Sequence, residues 1–81
     1  MNKNDMVTTY VFDTTKLHIG GMYRVSYVRT PFDGVLTEMS PNTLTFYYPI
    51  KDKENKCHLE PIFVDATDFY EKEDASITEL T

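Results

Sequence analysis

The chain has 81 residues and a mass of 9.4 kDa, room for one small domain with a core near the lower limit of what folds unaided. Hydrophobic residues make 41% and charged residues 26%, a globular composition, and the net charge of −5 leaves no positive balance for binding nucleic acid by bulk charge. A single cysteine, Cys57, excludes an intrachain disulfide, and no apolar run reaches the roughly 18–20 residues that span a bilayer.

Thr, Val, Ile, Tyr and Phe together supply 32 of the 81 residues, whereas Ala supplies 2 and Leu 5. β-branched and aromatic side chains suit a pleated, half-buried surface, so the chain is expected to be mainly β. Residues 1–5 are polar and expected to be flexible. Met6–Phe12 is β-prone and predicts an extra N-terminal edge strand. Asp13-Thr-Thr15 reads as a turn or cap, and Gly20-Gly21 as a sharp change of direction before the next strand.

Met22–Thr30 is the clearest strand, with Tyr23, Val25 and Tyr27 on one face and Arg24 and Ser26 on the other. Pro31-Phe-Asp-Gly34 has the composition of a turn. Val35–Ser40 and Thr43–Tyr48 form the expected hairpin through Pro41-Asn42. In its second arm Leu44, Phe46 and Tyr48 alternate with Thr43, Thr45 and Tyr47. Pro49 is expected to end that arm, and Lys51–Lys56 to form a charged loop. His58–Val64 is a fourth strand whose Pro61 assigns it to an edge or a bulge. Asp65 can cap one helical turn, and Phe69–Glu71 can form a short fifth strand. Beyond Lys72 no periodicity remains, so 73–81 is expected to be a flexible end. Residues 1–81 therefore read as one domain.

The charge is uneven. Residues 1–64 are neutral, and the acidity lies in Asp65, Asp68, Glu71, Glu73, Asp74 and Glu79, opposed by Lys72 alone. That end reads as a solvated tail, with phosphate mimicry toward a basic partner as the sharper alternative.

The order of elements is an apolar-x-apolar-Gly lead-in (Leu17-His-Ile-Gly20), the strand Tyr23–Tyr27, and a glycine-opened strand Gly34–Met39. The strands Leu44–Tyr48 and Ile62–Val64 follow, then a helical turn and a last short strand. This layout resembles the small five-stranded barrels of the Src-homology-3-like and Sm-like kind, over residues 17–71. The resemblance implies a closed sheet around Val25, Tyr27, Leu36, Met39, Leu44, Phe46, Ile62 and Val64, with Ile19 closing one end. It implies no ligand: the Trp and acidic cluster of Pro-binding members and the RNA-binding motifs of Sm proteins are missing here.

No phosphate-loop, dinucleotide, zinc-protease, nucleophile-elbow or EF-hand spacing occurs. Cys57-His58 and His18 are too few for a zinc site, and adjacent strand residues point to opposite faces. The expectation is a cytosolic, non-catalytic interaction module with no cofactor or metal and no membrane contact. It would bind a protein partner through an aromatic face that draws on Arg24, Tyr47, Tyr10, Phe32 and Tyr70. An open strand edge at residues 6–12, pairing with a partner or a second copy, is the other route. The alternative is a nucleic-acid-associated protein using Arg24, Arg29, Lys51, Lys53 and Lys56. The acidic, motif-free character would suit an accessory protein of a phage or mobile element.

Overall fold

The computed structural model describes residues 10–27 and 30–80. Five antiparallel strands form one sheet: β1 (Met22–Ser26), β2 (Phe32–Met39), β3 (Thr43–Lys51), β4 (Cys57–Asp65) and β5 (Ser76–Glu79). A 3-10 turn, Thr14–Lys16, precedes β1, and a short helix α1, Ala66–Glu71, separates β4 from β5. The mainly β expectation holds. The strand order is β4-β3-β2-β1-β5, so the last strand returns beside the first. Among the described residues β4 and β5 do not pair, and the sheet is open.

One face carries the core. Strand alternation sends Tyr23, Val25, Leu36, Leu44, Phe46 and Val64 inward, and none is more than 2% exposed. Phe12 from the lead-in segment and Ala66 from α1 complete the cluster. Asp13 accepts from the Thr15 N–H to cap the 3-10 turn, and Asp65 accepts from the Asp68 N–H to cap α1. Gly20, at φ +87°, supplies the left-handed bend expected of Gly20-Gly21.

Several expectations need correction. Phe32, Asp33 and Gly34 belong to β2 and not to a turn: Gly34 lies opposite Tyr23, and a Cβ there would meet the Tyr47 carbonyl oxygen at 3.0 Å. The glycine is required by close strand packing. Pro49 does not end β3, which runs on to Lys51. The β3–β4 register, flanked by Ala66 N–H to Asn42 O and Asp52 N–H to Lys56 O, makes the Leu44, Phe46, Tyr48 and Ile50 positions the hydrogen-bonded ones. The nitrogen of Pro49 therefore faces the β2 side, where the ladder stops at Val35–Tyr47, and no ladder bond is lost.

Phe69–Glu71, expected as a strand, closes α1, and the fifth strand is Ser76–Glu79 within the end expected to be flexible. Ile77 packs against the core there, opposite Val25. Met39 is 36% and Ile19 54% exposed, so neither belongs to the core; Tyr23, absent from the expected core, is fully buried, and Tyr27 is half-buried against that core. A bulge between Leu36 and Glu38 shifts the phase of β2, returning Met39 to the inner side only at the strand end. The N-terminal strand expected at 6–12 lies outside the described residues over 6–9, and Tyr10–Phe12 is not in the sheet.

Candidate functional site

The outer face of the sheet follows from the same alternation. Met22 pairs with Val35, Val35 with Tyr47 and Tyr47 with Pro61, so one row crosses four strands with apolar side chains throughout. On β4, Leu59 and Phe63 flank Pro61 on the same face and are 63% and 64% exposed. Beside Phe63 a shallow hollow of about 280 Å³ opens between Glu38, Ser40, Thr43 and Thr45. Exposed large apolar side chains that gather on one face mark an interaction surface more than scattered ones do.

Arg24 projects from β1 onto this face and makes a two-pronged contact with Asp33 of β2, Nε to Oδ1 at 2.8 Å and NH2 to Oδ2 at 3.1 Å. The guanidinium holds the Asp33 carboxyl below its usual range, chiefly through this hydrogen bond. Arg24 and Tyr47 thus share the outer face. The other three residues expected with them go elsewhere. Phe32 is half-buried on the inner side, its ring 4.8 Å from Tyr48 and 6.3 Å from Phe46. It supports the core and is not a free platform. Tyr10, also half-buried, stacks on Tyr70 at 5.6 Å. These two share a separate site between the lead-in segment and α1. There a cavity of about 320 Å³ is lined by Phe12, Leu17, Tyr23, Phe69, Tyr70 and Ile77, with Asp13, Lys16 and Glu79 at its polar margin.

A second, wider trough of about 950 Å³ lies among Tyr27, Pro31, Phe32, Tyr48 and Ile62, with Lys72 and Asp74 beside them. Two of its polar groups, Tyr27 and Lys72, are engaged. The Tyr27 hydroxyl donates to Asp68, and the Lys72 ammonium lies 4.4 Å from the centre of the Tyr27 ring and 3.5 Å from Asp68. Burial, reinforced by Asp68, pushes the Tyr27 phenol up to about 12, while the Tyr27 hydroxyl holds the Asp68 carboxyl below its usual range.

Of the bases expected to meet nucleic acid, two are paired with acids. Arg24 is held by Asp33, and Lys56 lies 3.6 Å from Glu54. Asp52 accepts from the Glu54 and Lys56 N–H groups and folds the loop that carries Lys53, while Lys51 ends β3. Arg29 lies outside the described residues. His58 Nε2 is 2.9 Å from Glu60, Cys57 is exposed, and among the described residues no three His, Cys, Asp or Glu side chains converge as metal ligands would. No helix among the described residues is long and apolar enough to cross a membrane.

No protein-family model matches this chain, and neither a curated protein nor a solved structure is significantly similar to it. Its site must be read from its own residues.

The reading by sequence missed Met22, Val35, Leu59, Pro61 and Phe63 as surface partners of Tyr47. Their signal was present in the alternation. Assigning Ile62 and Val64 to the core already turns Leu59, Pro61 and Phe63 outward. The cross-strand row needs register, which no single strand reveals.

Proposed function

We propose that this chain is a non-catalytic, cytoplasmic interaction module that binds a protein partner through the outer face of its sheet. The observation that carries the reading is the row Met22–Val35–Tyr47–Pro61, exposed at Met22 and Tyr47, with exposed Leu59 and Phe63 beside it. Apolar and aromatic anchors at the centre of a patch, with a paired Arg24–Asp33 at its margin, follow the anatomy of protein interfaces. The likeness to small Src-homology-3-like and Sm-like barrels is supported by the return of the fifth strand beside the first, and carries no ligand with it.

The test is affinity for a partner recovered with the full chain, measured again with Tyr47→Ala and Phe63→Asp. Each change is expected to weaken binding at least about tenfold while leaving the fold intact. Unchanged affinity in both would overturn the face assignment. Salt-sensitive binding of single-stranded DNA or RNA, measured by fluorescence anisotropy and lost with Lys51, Lys53 and Lys56, would favour the nucleic-acid alternative instead.

A further inference from the structure

The β1–β5 ladder leaves a second contact of a different kind. The Leu80 N–H donates to the Met22 carbonyl at 2.9 Å, which makes Met22–Leu80 a hydrogen-bonded position. Such positions alternate in antiparallel pairs, so Arg24–Thr78 and Ser26–Ser76 are bonded too, while Ile77 and Glu79 turn their backbone groups away from β1. Among the described residues nothing in the backbone pairs with them on that side. The side chains of Ile77 and Glu79 meanwhile line the cavity of about 320 Å³ walled by Phe12, Leu17, Phe69 and Tyr70. A strand edge unpaired among the described residues and an apolar cavity therefore adjoin one another.

We propose that β5 accepts a short extended segment of another protein as a sixth strand. An apolar or aromatic side chain of that segment, opposite Ile77, enters the cavity, and a basic side chain two residues earlier faces Glu79. Backbone pairing would supply affinity and the cavity specificity, as in strand addition generally. The volume suits one or two side chains and lies at the low end for small-molecule sites. Charge selects the basic residue: Glu79 and Asp13 stand at the cavity margin against Lys16 alone, and the hydrogen bonds from Thr15 hold the Asp13 carboxyl below its usual range. An antiparallel partner meets Glu79 before Ile77, which gives the pattern Lys-x-Phe. The strand is only four residues long, so it can hold one short segment without templating a larger sheet. The proposal rests on the reading of the chain as a protein-binding module, through a contact separate from the outer face.

The test titrates a capped Thr-Lys-Thr-Phe-Thr-Thr peptide into the full chain, followed by NMR amide shifts and hydrogen exchange. Shifts centred on Ile77, Glu79, Phe69 and Tyr70, with slowed exchange at the Ile77 and Glu79 amides, are expected. Glu79→Pro removes an outward N–H without removing a ladder bond and should weaken binding about tenfold. Glu79→Lys keeps the N–H, should weaken the Lys peptide about threefold, and should prefer a Glu-x-Phe peptide. Phe63→Asp should leave peptide binding unchanged, so the outer-face reading and this one fail separately. Absence of shifts at Ile77 and Glu79 at millimolar peptide, or an unaltered affinity in Glu79→Pro, would overturn the proposal. Self-association through β5 without peptide would overturn its occupant in favour of a second copy.

Discussion

Strand β4 is nine residues long and turns the backbone groups of Cys57, Leu59, Pro61, Phe63 and Asp65 toward its free side, whereas β5 is four residues long and turns out only Ile77 and Glu79. The long edge is interrupted at its centre, because Pro61 sits at a position whose nitrogen faces outward and has no hydrogen to offer. The short edge has no such interruption, and a cavity lies beside it. Two means of limiting edge pairing are thus distributed over one sheet, a missing donor where the strand is long and brevity where the donors remain. The apolar side chains differ correspondingly. Leu59, Pro61 and Phe63 of β4 stand on the outer face as a flat patch, and Ile77 of β5 points into the core side.

Removing β5 tests the comparison most severely. Ending the chain after Ala75 would strip Tyr23 and Val25 of their neighbours on β5 and should cost about 3 kcal/mol or more in urea denaturation. A loss within error would mean that β5 is an accessory and not part of the cooperative unit. The acidic end is therefore unsuited to the simple truncation that a solvated tail would permit.

Restoring a donor to the long edge comes next. Pro61→Val should leave the β3 ladder intact and turn Leu59, Val and Phe63 into a continuous apolar edge and face. A concentration-dependent dimer or larger species in sedimentation is expected, and a strictly unchanged sedimentation coefficient would show that Pro61 does not guard β4. Gly34→Ala probes the centre between the two edges. The added methyl meets the Tyr47 carbonyl at 3.0 Å and the Phe32 ring at 3.3 Å, which should destabilise by about 1–3 kcal/mol.

The smallest effect concerns the tie between Tyr27, the residue after β1, and α1. Because the Tyr27 phenol keeps its proton in the folded chain to about 12 while an unfolded tyrosine releases it from 10.0, stability is fully present below pH 10 and should decline from there to pH 12. Asp68, whose folded carboxyl is depressed, contributes above the ordinary carboxylate range and should lose that contribution as pH falls through its folded value. Tyr27→Phe should flatten the alkaline decline seen by circular dichroism. An unaltered profile would remove the Tyr27–Asp68 contact from the account.

Much of the sheet was legible in the residues. Alternation alone located Tyr23, Val25, Leu44, Phe46 and Val64 on the buried side and Arg24 and Tyr47 on the other, because a strand offers only two faces. Pro41-Asn42 announced its hairpin, Asp65 its helix cap and Pro61 its edge, each through a local steric or hydrogen-bonding property. Gly34 and Pro49 misled for a common reason: both resemble turn signals, yet each is tolerated inside a strand when the neighbouring ladder is close-packed or has already ended. Phe32 followed Gly34 into the wrong setting. The end after Lys72 was illegible because Ser76–Glu79 is too short and too polar to announce a strand by itself. What makes it one is pairing with β1, fifty residues away in the chain.

The amino-acid sequence by itself thus determined the strand-rich character, the inward and outward residues of the central strands and the positions of the caps, since these depend on near neighbours. Tertiary structure alone decided the row from Met22 to Pro61, the meeting of Tyr10 with Tyr70 and the cavity beside the edge of β5. Those depend on register and on which distant segments lie together, and no local preference encodes them.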